Sequence, residues 1–131
     1  MSGRVRGKGW RAAYLFAAAA LYLADQASKA WAVRRLRGGE VVKVFDGLLQ
    51  FGYAENTGIA FGRLQDGGEF GRWMLSALAA LAVVGLLAYF FRTRRTDDRL
   101  LGALALLLAG VAGNLTDRVR LGYVVDFIEV F

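Results

Sequence analysis

The chain has 131 residues, 56% of them hydrophobic, with a mean hydropathy of +0.38 and a net charge of +6. That is too apolar for a water-soluble domain of this length, so composition selects an integral membrane protein. With no Cys and no His, disulfides, thiolate nucleophiles, Ser-His and Cys-His pairs and the commonest zinc ligands are excluded, leaving carboxylates, Lys, Tyr, Ser and Thr for any catalysis.

Three stretches suit a bilayer, which takes about 20 mostly apolar residues to cross. They are residues 10–33, 73–91 and 100–115. The third is short and needs its polar end or a thinned bilayer to make up the length. The first carries Asp25 and Lys29 within its apolar run and shows no small-residue cleavage site, so it does not read as a cleaved signal peptide. Arg4, Arg6, Lys8 and Arg11 precede the first span, and Arg92, Arg94, Arg95 and Arg99 lie between the second and third. Bases placed this way orient a membrane protein rather than bind nucleic acid. They put the N-terminus and the 92–99 link in the cytoplasm, with residues 34–72 and the C-terminus outside. Arg34, Arg35 and Arg37 run against that rule; at the end of the first helix they suit its C-terminal carbonyls and lipid phosphates.

Residues 40–51 change character. Two β-rich runs flank Asp46-Gly47, a hairpin signal, and Asn56-Thr57-Gly58 marks a further turn. Residues 123–131 form another β-rich run, suited to add a strand to the same small outer sheet. The fold expected is thus a mainly α-helical membrane protein, a single domain over 1–131, with three transmembrane helices and a small extracytoplasmic β region. Gly102, Gly110 and Gly113 in the third span, and Ala17 to Ala20 in the first, permit close helix packing.

Three constellations carry possible chemistry. In Asp25-Gln26-Ala27-Ser28-Lys29 the two charges are four residues apart and share a helix face. They are either a structural ion pair or a prop for a site. In Gly113-Asn114-Leu115-Thr116-Asp117-Arg118, Asn114 and Asp117 share a face and Arg118 follows. Asp117 is either a general base for water or half of a surface ion pair with Arg118. A base of this kind requires a companion acid, and two close carboxylates can divide those roles. The companions in view are Asp126, Glu129 and Asp25. Asn56, in Asn56-Thr57-Gly58-Ile59-Ala60-Phe61-Gly62, suits either a turn or a contact to substrate backbone.

Together and in this order, these motifs resemble the lipoprotein signal peptidase family, the type II signal peptidases of bacteria. Asp25-Gln26-x-Ser28-Lys29 looks like the family's first motif. Asn56 to Phe61 looks like its Asn-Thr-Gly-Ala-Ala-Phe motif, with Ile59 for the usual Ala. Gly113 to Arg118, followed by Gly122-Tyr123-Val124-Val125-Asp126-Phe127, looks like its most distinctive stretch. The resemblance covers the chain from about Tyr14 onward. It implies an intramembrane aspartic endopeptidase that removes the signal peptide from diacylglyceryl-modified prolipoproteins, monomeric in the bacterial inner membrane among lipids, with no metal or organic cofactor. It gives Asp117 the first catalytic position, Asn56, Asn114 and Arg118 substrate or site contacts, and Asp25 and Lys29 a supporting role. The family's second catalytic aspartate lies in a later Phe-Asn-x-Ala-Asp motif, followed by a fourth membrane helix, and the sequence given stops at Phe131. Asp126 is at most a stand-in for it. The expectation from this is a C-terminally truncated family member, inactive as written. The alternative is a membrane protein that binds lipidated peptide or only packs helices.

Overall fold

The computed structural model describes residues 9–57, 68–94 and 97–131. Its elements are helix α1 (Gly9–Leu36), strands β1 (Val42–Phe45) and β2 (Leu49–Asn56), helices α2 (Gly68–Arg92) and α3 (Asp98–Leu121), and strand β3 (Val124–Val130). The turn motif from Gly58 to Gly62, the N-terminal bases Arg4, Arg6 and Lys8, and Arg95 lie outside the described residues.

α3 packs between α1 and α2, and the sheet sits against the C-terminal half of α1. α2 and α3 are long and apolar enough to cross a membrane. Their side chains support that role: Leu78, Leu81, Val84, Leu106 and Leu107 are all more than half exposed, a costly arrangement in water and a normal one in lipid. α1 is long enough, at 28 residues, but falls short of the same apolar standard because its C-terminal half carries Asp25, Gln26, Ser28 and Lys29. That polar stretch is turned onto α3, where Lys29 is 7% exposed.

Of the two ways to lengthen the third span, the structure shows the polar end. α3 has 24 residues, about 36 Å at 1.5 Å per residue, so no bilayer thinning is needed. The polar residues Asn114, Thr116, Asp117 and Arg118 continue the helix instead of ending it. It stops at Gly122, whose φ of 88° is left-handed and whose N–H donates to the Arg118 carbonyl at 3.0 Å.

The sheet is antiparallel in the order β1-β2-β3. β1 and β2 form the hairpin around Asp46-Gly47 that their sequence signals. β2 runs on to Asn56, which pairs with Val124 of β3, so Asn56 ends a strand, and the turn expected from Gly58 onward lies outside the described residues. Trp31, Phe51 and Phe127 meet edge to face, with centroids 5.7–6.2 Å apart, and join sheet to α1 around Ala32, Leu36 and Val125. At the other end of the bundle, Phe90, Leu101 and Leu104 pack with Trp10 and Tyr14.

Candidate active site

The site forms where α1, the last turns of α3 and the start of β3 converge. α1 brings Asp25, Gln26 and Lys29 to one face, and α3 presents Gly113, Asn114 and Asp117 to them. The close approach depends on Gly113, where a Cβ would overlap the Asp25 carboxylate. The i, i+4 pair read from the sequence is present, with Lys29 Nζ 2.9 Å from Asp25 Oδ2. Lys29 does more than that reading foresaw. Its ammonium also lies 3.0 Å from Asp117 Oδ2 and donates to Asn114 Oδ1 at 3.0 Å. One cation therefore serves three acceptors, which matches the three N–H bonds of an ammonium.

Asp117 is 2% exposed. Its Oδ2 accepts from Lys29 and from the Val125 backbone N–H at 3.0 Å, and its Oδ1 from Gln26 Nε2 at 3.3 Å. A carboxylate so enclosed ties α1, α3 and β3 together. The Asp117–Arg118 ion pair considered from the sequence does not form, because the two side chains leave the helix in different directions. The Arg118 Nε is buried without a hydrogen-bond partner among the described residues.

Asp126 has the opposite environment. It is exposed, and it lines a cavity of about 450 Å³ with Asp25, Ser28, Lys29, Asn56, Asn114, Val124 and Val125. The structure thus brings Asp25, Lys29, Asn56, Asn114 and Asp126 to one wall, with Asp117 behind it. Since Asn114 Oδ1 accepts from Lys29, its amide NH₂ is left to face elsewhere as a donor. Glu129 does not join them: it accepts from Gln50 Nε2 at 2.8 Å over Gly52 of β2. Nor does Tyr53 offer a phenolate. Burial above all, then the Tyr123 hydroxyl and the Glu55 carboxylate, hold its phenol above the ordinary range, and it donates to Glu55 at 2.8 Å.

Sequence reasoning missed two contributors. Gln26 donates to Asp25, to the Gly113 carbonyl and to Asp117, bridging the two carboxylates. Its place beside Asp25 was the available signal. Arg72 of α2 donates through Nε to the Arg118 carbonyl at 2.8 Å and through a terminal nitrogen to the Val119 carbonyl. It closes the C-terminal end of α3 just past the site, and nothing in its local sequence marks it for that.

Residues 17–131 match the family model for signal peptidase (SPase) II. Among similar proteins, the lipoprotein signal peptidase of Psychromonas ingrahamii is 36% identical over 117 residues, covering 88% of this chain and 66% of the relative. That of Pseudomonas putida is 35% identical over 130 residues, covering 99% and 76%. That of Xanthomonas campestris pv. campestris is 42% identical over 106 residues, covering 80% and 63%. The chain thus spans roughly two thirds to three quarters of the length of these relatives. A solved structure of a bacterial membrane enzyme, determined by the in meso method at 2.3 Å, superposes with a TM-score of 0.76 at 23% identity, covering 92% of this chain and 71% of that one. It establishes likeness of fold.

Proposed function

Since the chain belongs to the signal peptidase II family, we propose that it serves to cut signal peptides from diacylglyceryl-modified prolipoproteins by aspartic chemistry, with Asp126 as the carboxylate that meets water. This departs from the motif-based assignment of that role to Asp117. The observation that carries the change is the contrast between the two residues. Asp117 is 2% exposed and accepts from three protein donors, while Asp126 is exposed on the cavity wall. A general base needs room for the water it deprotonates, within hydrogen-bond reach; of these two carboxylates, Asp126 has it.

In this reading, Asp126 takes a proton from a water that attacks the scissile carbonyl. A second carboxyl group protonates the leaving amine, as in other aspartic dyads. Asp25 is the other acid on the wall, and Lys29 already engages it at 2.9 Å. The second acid is therefore assigned to the later Asn-x-Ala-Asp motif that the family resemblance implies. The Asn114 and Asn56 amides would hold the substrate backbone, and Asp117 with Lys29 and Gln26 would fix the strand that carries Asp126. The cell membrane, a cytoplasmic N-terminus and all three helices crossing the bilayer belong to the same proposal.

The test uses this chain extended by the C-terminal segment of the Pseudomonas putida relative, reconstituted in lipid with a diacylglyceryl prolipopeptide. Asp126→Asn is expected to abolish signal-peptide release while the folded protein is recovered in normal yield. Undiminished release by that variant would refute the assignment.

A further inference from the structure

At the opposite end of the bundle, where α2 leaves the apolar layer and α3 enters it, lies a cavity of about 600 Å³ that the proposed peptidase chemistry does not use. It is lined by Gly85, Ala88, Tyr89, Arg92, Arg94 and Leu100, and by Thr93 and Asp97. Gly85, Ala88, Tyr89 and Arg92 recur at helical spacing, so they form one stripe down α2. From Gly85 to Arg92 that stripe runs about 10 Å along the axis. Its Gly85 end is apolar and open: Gly85 and Ala88 are exposed, and a Cβ at Gly85 would meet no atom within 4 Å. Its outer end is basic.

The arginines there are uncommitted. Neither Arg92 nor Arg94 has an ion-pair or hydrogen-bond partner for its side chain among the described residues. Neighbouring groups are engaged elsewhere. Arg11 donates to the Phe91 carbonyl at 3.1 Å and stacks on Trp10, and Asp98 accepts from Tyr14 at 2.7 Å. Thr93 donates its hydroxyl to the Tyr89 carbonyl. Among the described lining residues Asp97 is the one carboxylate, against two guanidiniums, so the lining keeps a positive excess. The turn itself is braced by Thr93 N–H to Phe90 O and Asp97 N–H to Arg94 O.

An open apolar stripe leading up to two guanidiniums without a partner among the described residues, at the end of two membrane-length helices, has the polarity of a phospholipid. We propose that this cavity holds an anionic phospholipid, with an acyl chain along Gly85, Ala88 and Leu100 and the phosphate between Arg92 and Arg94. Guanidinium forks match phosphate oxygens in geometry as well as charge, and basic pockets between membrane helices are suited to such headgroups.

Native mass spectrometry of the protein released from detergent micelles provides the test, with phosphatidylglycerol, phosphatidylcholine and inorganic phosphate as probes. Phosphatidylglycerol is expected to stay bound in preference to phosphatidylcholine, and excess inorganic phosphate is expected not to displace it. The double variant Arg92→Gln/Arg94→Gln should weaken phosphatidylglycerol binding on the order of thirtyfold, about fivefold per arginine. Arg34→Gln/Arg35→Gln, which removes the same charge at the other end of the bundle, should leave it unchanged. Gly85→Leu, filling the apolar stripe without altering charge, should weaken it as well. Equal retention of phosphatidylglycerol by the Arg92/Arg94 variant and the control would overturn the site. Displacement by inorganic phosphate, or indifference to Gly85→Leu, would overturn the lipid as its occupant.

Discussion

The Lys29 ammonium of α1 stands 3.0 Å from the Asp117 carboxylate of α3, and the two side chains are only 8% and 3% exposed. With Asp25 at 2.9 Å on its other side, Lys29 is the one cation between two acids. Removing it strands both, and breaking a buried pair from one side costs about 3–5 kcal/mol. Lys29→Met is therefore expected to lose that much stability in detergent micelles, followed by thermal unfolding. Asp25→Asn should lose clearly less, because the buried Lys29–Asp117 pair survives and Asp25 is 28% exposed. Equal losses would mean that the three charges do not act as a unit.

Asp117 and Asp126 should separate by stability alone. Asp117→Asn removes the charge that faces Lys29 and leaves one acceptor oxygen where Lys29, the Val125 N–H and Gln26 used two, so a loss of roughly 3 kcal/mol is expected. Asp126→Asn changes an exposed group and should stay within about 0.5 kcal/mol of the parent. Matching melting curves for the two variants would contradict the environments described for them.

Two glycines of α3 make a contrast. Gly113→Ala forces a methyl group into the Asp25 carboxylate and should cost about 1–3 kcal/mol through overpacking. Gly102→Ala adds its methyl where no atom lies within 4 Å, so helix propensity should raise stability by about 0.5–1 kcal/mol. Opposite signs in one melting series check the packing of α1 on α3.

Arg72 closes the end of α3, and hydrogen bonds to a charged donor contribute about 1.5–3 kcal/mol each at most. Arg72→Gln is expected to speed amide hydrogen exchange in the last turn of α3 and at Gly122, with exchange in the middle of α3 unchanged. A uniform acceleration along the helix would point to global destabilisation and not to a lost cap.

Orientation is open to single-cysteine labelling, since the chain has no Cys of its own. A Cys at Arg94 should react only after the membrane is opened, and one at Asp46 should react from outside intact cells. Labelling of the Arg94 position from outside would reverse the topology.

Several features were determined by sequence alone, because their physics is local. Composition excludes a water-soluble domain. The apolar runs mark α2 and α3, alternation and Asp46-Gly47 mark the hairpin, and the four-residue spacing of Asp25 and Lys29 sets them on one helix face. The motifs also named the residues that gather at the site. Their surroundings were decided by the tertiary structure. That Asp117 is enclosed and Asp126 exposed depends on how β3 lies across the end of α3, and residue type does not encode accessibility. The Val125 N–H that helps to saturate Asp117 exists as a partner only once β3 lies across the end of α3. The bond from Lys29 to Asn114 joins positions 85 apart in the chain, and Arg72 finds the carbonyls of Arg118 and Val119 only when α2 and α3 pack. Such contacts have no period or motif, because chain folding brings their partners together from separate elements.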